Sequence, residues 1–289
     1  MMAILAKRDT QNRSRLLYCL SGFLIFIASF FIATSAQAST EANVVYTNDG
    51  FTAQVQVTSL IELEVSVKFE NAVGVAAENF ELDFQIVSPL NTNLLNRLPG
   101  TLVSLPADFP VLISIKPIAD RGFSFEGVAE IEIYTKNLHY VAGSPLRLFH
   151  SSDGGEFKDI TVTTGAGSYR ARGQMGTFSD FLIAADLRTP VSVVAGKVTA
   201  FSDYLQAQSS VIESPTYNLL SAALSILQQQ VSAGSYGSAQ NTVNEIITIL
   251  ETADGAVMPS IWRSSKDLQN VSGTLLAQAR TIRYSLRIL

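Results

Sequence analysis

The chain has 289 residues, 20 basic against 25 acidic, and a single cysteine, Cys19. One cysteine excludes an intramolecular disulfide and a multi-thiolate metal site. An acidic balance, with no basic run after Arg15, argues against nucleic acid or anionic lipid as the partner.

The N-terminus carries Lys7, Arg8, Arg13 and Arg15, offset only by Asp9, and then an uncharged apolar run from Leu16 to Thr34. Ala36-Gln37-Ala38 follows, the small-x-small pattern that fits a signal peptidase. We therefore expect residues 1–38 to be a signal peptide forming a helix, cut after Ala38. The alternative is an uncleaved anchor, since the run approaches the ~20 residues that span a bilayer. Either way the rest of the chain is expected in the periplasm or outside the cell, touching membrane only through this segment if it is retained. Residues 39–289 keep 16 of the 20 basic residues and 24 of the 25 acidic ones, a formal charge of −8, and no cysteine. Without a cysteine at the expected cleavage point, no lipoprotein anchor is expected.

Residues 39–188 read as strands. Ile61 to Phe69 alternates apolar and polar, Phe80 to Ile86 repeats the pattern, and Val111, Ile113 and Ile115 follow. Ala129, Ile131 and Ile133 alternate with Glu130 and Glu132. A period of two buries one face and wets the other, the habit of antiparallel sheets. Asn48-Asp49-Gly50, Pro99-Gly100, Asp153-Gly154-Gly155 and Gly165-Ala166-Gly167 supply turns between the runs. The expected fold is an immunoglobulin-like β-sandwich.

After Thr189-Pro190 the period changes. Val194, Val198, Phe201 and Leu205 form one helical stripe, and Tyr217, Leu220, Leu224, Leu227 and Val231 a second. Ala239, Val243, Ile246 and Leu250 make a third, and Leu275, Ala279, Ile282 and Leu286 a fourth. Ser214 before Pro215 reads as an N-cap, and Gly234 and Gly255 as helix ends. A small all-α bundle over residues 189–289 is expected.

Candidate chemistry is sparse. His139 and His150 are the only histidines, and neither stands in a Gly-x-Ser-x-Gly setting; both read as structural. Asp153, Glu156 and Asp159 bring three carboxylates within seven residues, a calcium-like density, but Lys158 intrudes and the spacing is not that of an EF-hand. Gly165-Ala166-Gly167 lacks the helix that a phosphate loop needs. Glu62/Glu64 and Glu130/Glu132 are paired as glycosidase acids are, yet strand alternation alone puts them on a wet face. Arg147, Arg170 and Arg172 are read as a basic stripe that either faces an anion or the helices, or pairs with acids. Trp262 is read as a plug at the end of the bundle, or as a binding anchor if exposed. No catalytic, cofactor-binding or metal-ligating residue is assigned, and no cofactor is expected.

Arg97-Leu98-Pro99, Phe109-Pro110-Val111, Ser144 to Phe149, Gly155 to Thr161, Gly167 to Gly173 and Phe178 to Leu182 together resemble an uncharacterised family of bacterial signal-peptide-bearing proteins, a domain of unknown function. Pro259, Trp262-Arg263, Asn270 to Gly273 and Arg283 to Leu286 fit the same family. The resemblance implies no activity and transfers no functional residue. The expected function is a non-catalytic binding or scaffolding module of the envelope or exterior, with a protein or glycan partner and no nucleic acid. The alternatives are a secreted hydrolase whose carboxylates the fold assembles, and a structural envelope component.

Overall fold

The computed structural model describes residues 41–289, so the expected signal segment and its cleavage site lie outside the described residues. Before residue 190 the chain forms β1 (Glu41–Tyr46), β2 (Gly50–Gln56), β3 (Glu62–Val73), β4 (Phe80–Ile86), a short helix α1 (Thr92–Leu95), β5 (Val103–Ser104) and β6 (Val111–Pro117). It continues through β7 (Ser124–Thr135), β8 (Leu146–Ser151), β9 (Lys158–Asp159), β10 (Thr161–Gly165), β11 (Tyr169–Met175) and β12 (Asp180–Asp186). Then come α2 (Pro190–Ala207), α3 (Ser214–Ser232), α4 (Tyr236–Thr252), β13 (Ile261–Arg263) and α5 (Val271–Arg287). The switch from strand to helix falls between Asp186 and Pro190, with the Thr189 side chain capping α2 at Ser192.

All strand pairs are antiparallel and make two sheets. The first runs β1-β2-β3-β7-β11-β10, and the second β4-β6-β12-β8-β9 with β5 also paired to β12. Alternation sets which side chains meet. Leu63, Val65, Val67 and Phe69 of β3 and Ala129, Ile131 and Ile133 of β7 are buried together with Phe84, Ile113 and Phe181 from the second sheet. Each of these side chains other than Ala129 contributes about 1.5–3 kcal/mol of burial, so the shared core fixes the register of both sheets. The far face of the second sheet is covered by the segment around α1, whose Leu94 and Leu98 pack on Phe149, Phe157 and Leu182.

Each helical stripe read from the sequence is the buried one. The four long helices share one core, to which Val128 of β7 and Met258 belong. Helix α5 departs from the single-stripe expectation: Leu276, Ala277, Thr281 and Ser285 are buried as well. It lies against α2 and α4 and also against β7, β10 and β11. Its small residues permit that approach. A Cβ on Gly273 would stand 2.0 Å from the Gly127 carbonyl oxygen, and the buried Asn270 both caps α5 at Gly273 and donates to that same oxygen. The described residues form one compact unit.

Three local expectations are corrected. Trp262 does not plug the bundle; it lies on β13, which pairs with β7, and its ring packs 5.6 Å from Phe125 in the core between the sheets. Glu213, not Ser214, precedes the first turn of α3, and no side chain caps it. Gly234 ends α3 with φ +69° as expected, whereas α4 ends at an extended Ala253, with Asp254 closing the next turn onto Ala256 and Val257.

Candidate functional site

Three of the family-like stretches that are far apart in sequence, at 97–99, 155–161 and 178–182, come together. Arg97 is the hub. It donates to Asp180 at 2.9 Å, to Ser151 and to the Gly155 carbonyl, while its guanidinium lies 4.5 Å over the Phe157 ring. Asp180 also accepts from Ser114, and the Phe157 amide donates to the Arg97 carbonyl. This half-buried network fastens the strap of residues 155–158 to the second sheet, because a paired charge that loses its partner leaves the other desolvated and alone.

Between that strap and the helices opens a cleft of about 260 Å³. Pro99, Glu156, Phe157 and Lys158 line one side, and Val193, Gly196, Lys197 and Ala200 of α2 with Gln278 and Thr281 of α5 line the other. At its floor Lys197 Nζ meets Asp159 Oδ2 at 2.7 Å; the two side chains are 12% and 2% exposed. Lys197 also donates to Ser285 Oγ and the Thr281 carbonyl, and Asp159 accepts from the Thr161 amide. Burial by itself pushes the Asp159 carboxyl up, but Lys197 and Thr161 outweigh it and hold the group below the usual carboxylate range. Burial lowers the Lys197 ammonium, with Asp159 opposing. The two side chains face each other as a buried pair, with Ser285, Thr281 and Thr161 as their further partners. Gln278 Oε1, by contrast, is a buried acceptor with no hydrogen-bond partner among the described residues.

Gly196 stands in the middle of α2, where glycine costs about 1 kcal/mol relative to alanine. A Cβ there would touch nothing within 4 Å. Packing does not demand this glycine; what it leaves is open cleft.

The other residues weighed from sequence are dispersed. His139 is exposed beyond β7, and His150 is buried on β8 with its ring 4.9 Å from Phe181. Asp153 pairs with Lys266, Asp159 with Lys197, and Glu156 is exposed. Among the described residues no group of three or more His, Cys, Asp or Glu could hold a metal, and no helix is long and apolar enough to cross a membrane. Glu62 pairs with Lys136, and Glu130 and Glu132 pair with Arg172, Glu132 with Arg170 as well. Burial raises Glu132, but Arg172 and Arg170 carry it below its usual value. The expected arginine stripe is not one stripe: Arg147 belongs to the second sheet and stacks on Tyr284 of α5, while Arg170 and Arg172 belong to the first. Lys197 was not singled out from sequence, although it is the sole basic residue of α2 and sits three residues after Val194 on the apolar stripe.

No curated protein and no solved structure matches the chain. Residues 26–289, nearly all of it, match one family model. The chain belongs to the family of unknown function (DUF6689).

Proposed function

We propose that this chain is an exported, non-catalytic binding module of the bacterial cell envelope or exterior, in which an immunoglobulin-like sandwich and a helical cap together hold a small hydroxyl-rich ligand such as one glycan unit. The reading rests on the cleft between strap and helices, and above all on Gln278 Oε1, an acceptor buried at its wall without a donor. A buried acceptor left unpaired costs about 1–3 kcal/mol, which a ligand hydroxyl would recover once the Gln278 side chain turned its oxygen into the cleft. Apolar Pro99, Phe157, Val193 and Ala200 suit the C–H face of a sugar, and Lys158, Arg188 and Glu156 supply polar contacts at the wall.

Asp159 favours binding over acid catalysis. Held below the usual carboxylate range by Lys197 and paired with it at 2.7 Å, it has no proton to give as an acid and is already engaged as a base or nucleophile. The two-sheet core and all-antiparallel pairing support the immunoglobulin-like reading.

Two experiments test the proposal. N-terminal sequencing of the protein recovered from envelope and culture fractions should begin at Ser39. A thermal-shift screen of mono- and disaccharides should find a ligand that raises the melting temperature of the wild type and not of Gly196→Leu, whose side chain fills the cleft. A cytosolic protein with residues 1–38 attached overturns the export reading, and sugars that act equally on both proteins overturn the site.

A further inference from the structure

A second groove, of about 330 Å³, lies on the other side of α5, between that helix, α4 and the β10–β11 edge of the first sheet. Its walls carry Arg172, Arg280, Arg283 and Arg287 against only Glu130 and Glu251. In residues 39–289, which carry a formal charge of −8, this is a local reversal of sign. The arginines are not equivalent. Arg172 is bound to Glu132 and Glu130, and Arg280 to Glu251 and Gln174, so these two are held in place. The side chains of Arg283 and Arg287 make no hydrogen bond or ion pair among the described residues; Arg283 is half-buried and Arg287 exposed. Burial, then Arg280 and Arg287, lower the Arg283 guanidinium below its usual value, against a small opposing pull from Glu251.

Such crowding is unfavourable in the empty protein and becomes favourable when an anion enters. Positions 280, 283 and 287 follow the i, i+3, i+7 spacing of one helical face and span about 10 Å of axis. Arg172 approaches from the sheet. A planar carboxylate is satisfied by one guanidinium fork, whereas a phosphoryl group offers three oxygens to donors from different walls. Charge spread over that length calls for more than one such group.

From this geometry we infer that the α5 groove is a binding site for an oligoanion bearing two or more phosphoryl groups. The site is independent of the ligand cleft beside α2, and either stands if the other fails.

The test is calorimetric titration of the purified protein with tripolyphosphate, inorganic phosphate and citrate, in low salt without divalent cations. Tripolyphosphate should bind saturably and more tightly than the other two, and Arg283→Gln/Arg287→Gln should weaken it at least about tenfold. Arg287→Gln alone, at an exposed position, should weaken it in part while leaving the melting temperature unchanged. The charge-matched control Arg121→Gln, in the turn before β7, should bind as the wild type does. No saturable binding, an equal loss in Arg121→Gln, or citrate binding as tight as tripolyphosphate each overturn the assignment.

Discussion

His150 gives the fold a specific acid sensitivity. Its side chain on β8 is packed beside Phe181, and its Nε2 has no hydrogen-bond partner among the described residues. Burial lowers its pKa from 6.5 to about 4; Asp180 and Asp153 oppose that shift, and Lys158 adds to it. The unfolded imidazole therefore takes a proton near pH 6.5 and the folded one only near pH 4. Across that window the unfolded state binds more protons, so stability is fully present above pH 6.5 and falls as the pH drops. Linkage gives a loss of about 2 kcal/mol between pH 7.5 and pH 5, or about 4–8 °C in melting temperature for a chain of this size. The shifted carboxylates Asp159 and Glu132 lie below their normal values of 3.8 and 4.5, so their losses come mainly at more acid pH. Urea unfolding followed by tryptophan fluorescence, with Trp262 as the only reporter, measures the profile directly. His150→Gln should flatten it between pH 7.5 and pH 5. A flat wild-type profile, or an undiminished slope in the variant, refutes the argument.

Two further outcomes are expected. Leu224→Asp places a charge in the helical core, where Leu224 is 6% exposed, and should destabilise by about 4 kcal/mol or more; unchanged thermal unfolding would mean that the α3 stripe is not buried. Lys197→Met strands the Asp159 carboxylate and should cost about 3–5 kcal/mol, whereas Lys197→Met with Asp159→Leu should recover most of it. A double variant as unstable as the single one would show that the pair does not act as a unit.

Periodicity made most of the scaffold readable. Buried β3 and β7 follow their two-residue alternation, and the four helical stripes coincide with the buried positions because each helix turns one apolar face to a common core. What escaped were elements too short for a period. Strand β13 is three residues long and is defined by its pairing with β7, so Trp262 gave no local sign of entering the sheet core. Helix α1 is four residues, capped by Asn91. The double burial of α5 was hidden for a different reason: apart from Val271 and Leu276, its second buried side consists of Ser, Ala, Gly and Thr, which pack closely without looking hydrophobic.

The cleft was less legible than the fold because its parts come from Pro99, residues 156–159, α2 and α5. Only tertiary packing brings Lys197 to Asp159. Local hints existed, in a lone lysine on an apolar stripe and in a mid-helix glycine. The arginines at 280, 283 and 287 were also visible as one helical face, but sequence could not say that the acids opposite them would be few.

The claim that the cleft beside α2 holds a small ligand is tested most directly by native mass spectrometry of protein isolated gently from its own cells. Wild-type protein should carry an additional mass of small-molecule size that collisional activation strips away, and Gly196→Leu, folded and equally stable, should carry none. The same bound mass on both proteins, or none on either after enrichment with the ligand from the thermal screen, contradicts the account.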